Sequence, residues 1–439
     1  MPEILPIPAV TFAESGNEDV SDRIAPPYDV LDADSKAALL KRNAHNVVAI
    51  DLPHTPAKTL GPDPVYVEAG QRYRQWLDAG VLKRRDTPAI YIYQQTYTVA
   101  GREFKRRGLI SNIPTQPFGP GDNGRGGVFP HEQTFSEAKQ DRLKLMKATQ
   151  AQLSPIFGLY SDPDQAVGDL LDKVVAAGQP SYHGTTADGV LHEVWAVDDK
   201  PTVEAIRTTL RDKDVFIADG HHRYNTALNL KNELIEQGQD PGRAGECLFV
   251  LIAMQDPGMI VLPTHRALGG MQDWSLAKFQ QQAEGVLQFQ PVAGDDLADL
   301  EKAVNASPGH HAFGLYDPDA ETPMVVATTV AADPLADRFS DRAEAWRQLD
   351  VAILQHLVVE QLCEPTFCEA GEQVKWKFPH ELNVLKQLVD GPDYQVGVVM
   401  QATPLESVRQ VSEAGELMPQ KSTFFYPKLA TGLVINPLD

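Results

Sequence analysis

Phe216–Leu228, FIADGHHRYNTAL, contains the change of period on which the fold is read. Val215 and the first residues of the stretch form a short apolar run that ends at Asp219. Beyond Gly220 the apolar residues Tyr224, Ala227, Leu228 and Leu234 fall at helical spacing. An apolar run, a glycine and then a 3.6-residue period read as strand, turn and helix. The first turn of a helix has four backbone N–H groups without internal partners, and they carry partial positive charge. A phosphate or carboxylate is favoured there. Arg223 adds a two-pronged donor. His221 or His222 can donate, or move a proton near neutral pH. Asp219 can orient a histidine, take a hydroxyl proton or hold a metal ion. A purely structural alternative stays open, with Asp219 as a helix cap and Arg223 paired to it.

Outward from this stretch, short strands alternate with helices, which predicts a mixed α/β (α+β), multi-domain fold. Towards the N-terminus, Asp32 is placed to cap a helix reaching about Leu40, and NVVAIDLP (Asn46–Pro53) reads as a strand. Val65–Leu82 has helical spacing, and Ala89–Val99 with Arg102–Ile113 reads as a hairpin turning at Ala100–Gly101. PFGPGDNGRGG is a loop. Thr134 and Glu137 have the spacing of a capping box for a helix over about Phe135–Gln152. That places His131 and Glu132 just outside a helix N-terminus. Towards the C-terminus, Trp346–Leu362 reads as one helix. FGLYSDPD at 157–164 returns as FGLYDPDA at 313–320, either a repeated module or a reused strand and turn. The expected domains are 1–155, 156–310 and 311–439.

Composition narrows the function classes. A chain of 439 residues exceeds one ordinary core. Its net charge of −21 argues against a generic nucleic-acid surface. The basic clusters Lys83–Arg85 and Lys105–Arg107 read as solvated faces or local ion pairs. Three cysteines, Cys247, Cys363 and Cys368, make no disulfide framework and no structural zinc set. No apolar run is long enough to span a bilayer, and MPEILPIPAVTF has no signal-peptide pattern. The expectation is a cytoplasmic protein with no membrane partner. No complete dinucleotide, phosphate-loop or nucleophile-elbow signature is present. Adjacent histidines at 221 and 222 diverge on a helix, so no metal site is assigned.

Two further segments can close a site: SDRIAPPYDV, with Asp22, Arg23, Tyr28 and Asp29 around Pro26–Pro27, and PQKSTFFYPKL. In the second, Lys421 can neutralise a phosphate while Ser422 and Thr423 donate to it, with Lys428 a few residues on.

RIAPPYDV, VFPHEQTFSEAKQDRL, FIADGHHRYNTAL and MPQKSTFFYPKLATGLVI, in that order, resemble the bacterial and archaeal family known as domain of unknown function 1015. That likeness brings no established reaction. Asp219–Arg223 also resembles the strand–Gly–His–Arg–helix phosphate site of the ParB and sulfiredoxin superfamily, which includes a nucleotide-dependent kinase of free serine. The resemblance implies a small α/β domain around residues 157–255, with Gly220 opening the helix and His222 and Arg223 on phosphate. His221 stands where sulfiredoxin has its cysteine, which argues against sulfinic acid reduction.

These readings converge on a nucleotide-dependent phosphotransferase acting on a small polar metabolite, with magnesium and ATP or ADP as expected cofactors. Asp219, Glu132, His131 and His221 are the expected catalytic groups. Gly220, His222, Arg223, Lys421, Ser422 and Thr423 are the expected phosphate or nucleotide ligands. The alternatives are a hydrolase of a nucleotide or phosphometabolite, and a non-catalytic ligand sensor or interaction protein.

Overall fold

The computed structural model describes residues 3–12, 16–121 and 124–439, so Asp122 and Asn123 of the glycine-rich loop lie outside the described residues. The fold is mixed α/β. The chain forms two compact units, Met1–Ile260 with Pro427–Asp439, and Val261–Tyr426.

The first unit is built on a mixed sheet, nine-stranded among the described residues. Its strands in chain order are β1 (Glu18–Asp19), β2 (Ile90–Val99), β3 (Arg102–Pro114), β4 (Val128–Phe129), β5 (Ile156–Tyr160), β6 (Tyr182–Thr185), β7 (Leu191–Val197), β8 (Val215–Asp219) and β9 (Glu246–Ala253). Their order across the sheet is β1-β6-β7-β2-β3-β9-β5-β8-β4. The β2–β3 hairpin turns where expected, with φ +48° at Ala100 and +75° at Gly101. Strand β5 runs parallel to β9 and antiparallel to β8, so residues 156–160 lie inside the sheet that residues 90–114 begin. The units therefore do not follow the expected borders at 155 and 310. The segment 157–255 is likewise part of the larger sheet, not a separate small domain.

Helices α1 (Ala33–Arg42), α2 (Val48–Asp51), α3 (Asp63–Asp78), α4 (Ser136–Thr149), α5 (Ala166–Ala177), α6 (Lys200–Leu210) and α7 (His221–Glu236) complete this unit. Asp32 caps α1 by accepting from Ser35 N–H. Asn46–Pro53 is not a strand. Asn46 Oδ1 accepts from Val48 N–H at 3.0 Å while its amide donates to the Ile24 carbonyl at 2.8 Å, which starts the short helix α2. The capping box at Thr134 does not form either. Helix α4 begins at Ser136, and Glu137 instead accepts from Leu60 N–H at 3.0 Å.

The second unit holds a six-stranded antiparallel sheet: β10 (Arg266–Gly269), β11 (Leu287–Pro291), β12 (His310–Tyr316), β13 (Met324–Thr329), β14 (Lys375–Lys377) and β15 (Tyr394–Val399), in the order β11-β13-β12-β15-β10-β14. The expected helix over Trp346–Leu362 is broken. Leu349 is extended, and Leu354–Cys363 continues with wider π-type turns. His311 Nδ1 meets the Asp350 carboxylate at 2.8 Å just past the break. The two FGLY copies fall one in each unit, on β5 and β12. Asp162 accepts from Val167 and Gly168 N–H at the start of α5, and Asp317 accepts from Leu276 N–H and the Trp274 indole. The carboxylates thus serve a helix after the strand in one unit and a helix before it in the other.

Gly70 sits where α3 packs on α4. A Cβ there would lie 2.2 Å from the Ala148 carbonyl oxygen. Glycine to alanine in a helix ordinarily gains about 1 kcal/mol, whereas overpacking costs about 1–3 kcal/mol. Gly70→Ala is expected to lower stability in urea unfolding, and a gain would refute this packing.

Candidate functional site

Asp219 ends β8, Gly220 turns with φ +99°, and α7 starts at His221. The glycine is required twice over. Its backbone is left-handed, and a Cβ would meet the Arg223 guanidinium at 3.0–3.1 Å.

The Asp219 carboxylate gathers cations. Lys428 Nζ donates to its Oδ2 at 2.6 Å, and Arg223 Nη2 lies 3.5 Å from its Oδ1. Burial alone would raise the carboxyl, but Lys428 and Arg223 outweigh it and hold the group well below the usual range. Arg223 does not reach outward as expected for a phosphate ligand. It folds back over Gly220, Nη1 donates to the Pro155 carbonyl, and only 11% of its side chain is exposed.

Lys428 is delivered by the C-terminal tail, which folds into the first unit. Arg106, buried and lying over the Phe157 ring, donates to the Pro427 carbonyl at 2.5 Å and to Gln95 Oε1. Gln95 in turn donates to the Lys428 carbonyl at 2.9 Å. The backbone on both sides of the Pro427–Lys428 peptide is therefore pinned to the hairpin β2–β3.

A second ion pair stands beside the first. Asp29 follows Pro26–Pro27, and Lys58 Nζ lies 3.0 Å from its Oδ2. Asp29 Oδ1 is shut away from solvent and has no hydrogen-bond partner among the described residues. Burial and the Asp219 charge push the Asp29 carboxyl up, and Lys58, Arg223 and Lys428 bring it below its ordinary value. Lys58 is pushed down by burial and, more strongly in sum, held up by Asp29, Asp219 and Glu132.

The loop ahead of α4 joins this segment. His131 N–H donates to His221 Nε2 at 3.2 Å, the rings meet edge to face with centroids 4.6 Å apart, and His131 Nδ1 contacts the Ile217 carbonyl at 2.8 Å. Glu132 Oε2 lies 3.8 Å from His221 Nδ1. His222 Nε2 accepts from Phe135 N–H at 3.0 Å, tying α7 to the start of α4. His131 and His221 are 3% and 2% exposed. Burial pushes His131 down to about 4 and His221 well below the usual imidazole range. The two rings pack edge to face, and Glu132 stands beside His221 at their edge. Burial also brings His222 down to about 4.

Lys421, Ser422 and Thr423 belong to the second unit, where the Lys421 carbonyl accepts from Arg266 and the Ser422 hydroxyl donates to the Pro419 carbonyl. Asp29 and Lys428 stand in the two segments, SDRIAPPYDV and PQKSTFFYPKL, whose sequence suits closing a site. Lys58 carries no signal in the sequence: it stands alone in a proline-rich loop with no motif around it. Among the described residues no three His, Cys, Asp or Glu side chains converge on a metal site, and no helix is long and apolar enough to cross a membrane.

The chain belongs to the family described as protein of unknown function (DUF1015). That family's model matches residues 4–352. No curated protein matches the chain by sequence. Among solved structures, this DUF1015 member is similar to a free serine kinase in complex with AMP, at 12% identity and TM-score 0.32, covering 71% of this chain and 89% of that one. It is also similar to a conserved hypothetical protein from Pyrococcus furiosus, at 16% identity and TM-score 0.31, covering 72% and 95%. A third likeness is SbnI with C-terminal truncation from Staphylococcus aureus, at 9% identity and TM-score 0.34, covering 75% and 87%. Likenesses this distant assign no reaction to this DUF1015 member.

The buried imidazoles make a pH prediction. His131 has a folded value of about 4, below the free value, so between about pH 6.5 and 4 the unfolded chain binds a proton that the folded ring refuses. Stability should fall as pH drops through that window, by on the order of 3 kcal/mol for this ring. His131→Asn, which keeps a donor for Ile217, should flatten the slope of urea midpoint against pH. An unchanged slope would show that the ring titrates freely.

Proposed function

We propose that the first unit is a phosphotransferase that moves a phosphoryl group from a nucleotide to a small polar metabolite, at the cluster around Asp29 and Asp219. The observation that carries this reading is Asp29 Oδ1, a carboxylate oxygen enclosed by the protein with no hydrogen-bond partner among the described residues. Leaving such an atom unpaired is costly, and a bound cation supplies the partner. Lys58, Lys428 and Arg223 set three cations against Asp29, Asp219 and Glu132, a balanced cluster in a chain of net charge −21. Mixed charge of this kind suits a metal-bound phosphate, which needs carboxylates for the ion and cations for the phosphoryl oxygens.

The residues present fit magnesium, which is held by one or two carboxylates and the substrate's own phosphates, without an all-protein cage. Asp29 and Asp219 would hold it, and when bound it neutralises charge on the donor phosphates. Lys58 and Lys428 orient the phosphoryl group, aided by the N-terminus of α7. Glu132, with 37% of its side chain exposed, accepts the proton of the attacking hydroxyl. Arg223 acts one step back by fixing Asp219. The likeness of Asp219–Arg223 to the ParB and sulfiredoxin phosphate site supports a nucleotide as donor.

The test is phosphorus NMR of the full chain with ATP, magnesium and a panel of small hydroxylated metabolites. A phosphorylated metabolite is expected, and Glu132→Gln should lower kcat by about 10²- to 10⁴-fold with the fold intact. Orthophosphate released without an acceptor would make the protein a hydrolase. Nucleotide binding without turnover would make it a sensor. Absence of nucleotide binding, with and without magnesium, would refute the proposal.

A further inference from the structure

The first unit holds a cavity of about 240 Å³. Its lining includes Tyr160, Asp162, Asp256, Lys105, Arg107 and Leu171. It stands apart from the Asp219 cluster. Asp219 pairs with Phe157 across β8 and β5, and Tyr160 lies three residues further along β5. An odd offset along a strand turns the side chain to the opposite face of the sheet.

Two groups that line this cavity have no side-chain donor among the described residues. Tyr160 is 1% exposed as a residue and lines the cavity, and no side chain donates to its hydroxyl. Asp256 accepts only backbone N–H groups, from Gly258 at 2.8 Å and Arg107 at 3.2 Å, and has no ion pair among the described residues. The neighbouring cation does not fill that role. The Arg107 guanidinium is turned to Gln94 Oε1, at 2.5 and 3.1 Å, and to Asp172. Asp162 is occupied by the first N–H groups of α5, with Lys213 Nζ at 3.5 Å, and adds negative field. Burial pushes the Tyr160 phenol up, and the charges of Asp162 and Asp256 act in the same direction. Burial likewise raises Asp256. The space exceeds what a bare ion needs, and Leu171, Ala253 and Pro257 give it an apolar wall.

We propose that this cavity binds a small organic cation carrying a primary ammonium group, whose N–H groups donate to the Asp256 carboxylate and the Tyr160 hydroxyl while its carbon stem lies on the apolar wall. A half-buried carboxylate and a hydroxyl oxygen without a side-chain donor are both acceptors, so they select a donor-rich cation over an anion. The site does not rest on the phosphotransferase reading and stands or falls separately.

The test uses the full chain with tyrosine isotope-labelled at ring Cζ, and Tyr160→Phe identifies the Tyr160 signal by its loss. Ethylammonium, ethanolamine and putrescine are titrated, with acetate and ethanol as controls. A saturable shift of the Tyr160 signal with the amines alone is expected, and Asp256→Asn should weaken the affinity at least about tenfold. No saturable response to any of the three amines, an equal response to acetate, or unchanged affinity in a folded Asp256→Asn variant would each overturn the proposal. If Asp256→Asn does not fold, calorimetry on Tyr160→Phe decides, and an affinity equal to wild type overturns it.

Discussion

The contact between Lys428 Nζ and the Asp219 carboxylate, 2.6 Å long, joins two parts of the chain 209 residues apart and sets the geometry of the candidate site. Neither side chain is deeply enclosed, at 22% and 21% exposed, so the pair keeps contact with solvent and avoids the full cost of burying two charges. Its geometry is supported from behind. Arg106 and Gln95 fix the tail backbone, and Gly220 with Arg223 fixes the strand end. A buried arginine satisfied by carbonyl and amide oxygens positions a lysine, and that lysine positions the carboxylate at the mouth of α7.

The local elements were largely legible in the sequence because local chemistry decides them. The apolar run into Asp219, the left-handed glycine and the helical period of Tyr224 and Ala227 act within a few residues, and the structure follows them. The hairpin at Ala100–Gly101 is equally local. The reading failed where a distant partner overrides local preference. Val47–Ile50 has strand-forming residues, but Asn46 satisfies the backbone of Val48 and Ile24 together and turns the segment into a helix. Thr134 and Glu137 have capping spacing, but Leu60 N–H takes the Glu137 carboxylate and the Asn225 amide donates to the Thr134 hydroxyl, the two side-chain groups that the cap would use.

The site was legible in the same partial way. His131, Glu132 and His221 come together because both segments end beside helix starts. Lys421 and Lys428 carry the same charge and have similar neighbours in the sequence, so nothing local ranks one above the other. What separates them is which unit each joins, and that depends on the buried Arg106 contact with Pro427, a long-range pairing with no spacing signature. Lys58 was invisible for the same reason: its role comes only from facing Asp29.

A double-mutant cycle on Asp219→Asn and Lys428→Met, followed by urea unfolding at neutral pH, tests the central claim most directly. The Asp219 carboxyl is held low in the fold, so the pair's contribution is fully present above the free carboxyl value, and neutral pH reads all of it. A coupling energy between the two substitutions of about 1–3 kcal/mol is predicted, as for residues in one charged network. Additivity within about 0.3–0.5 kcal/mol would contradict the account, because Asp219 and Lys428 would then not act on each other as a pair.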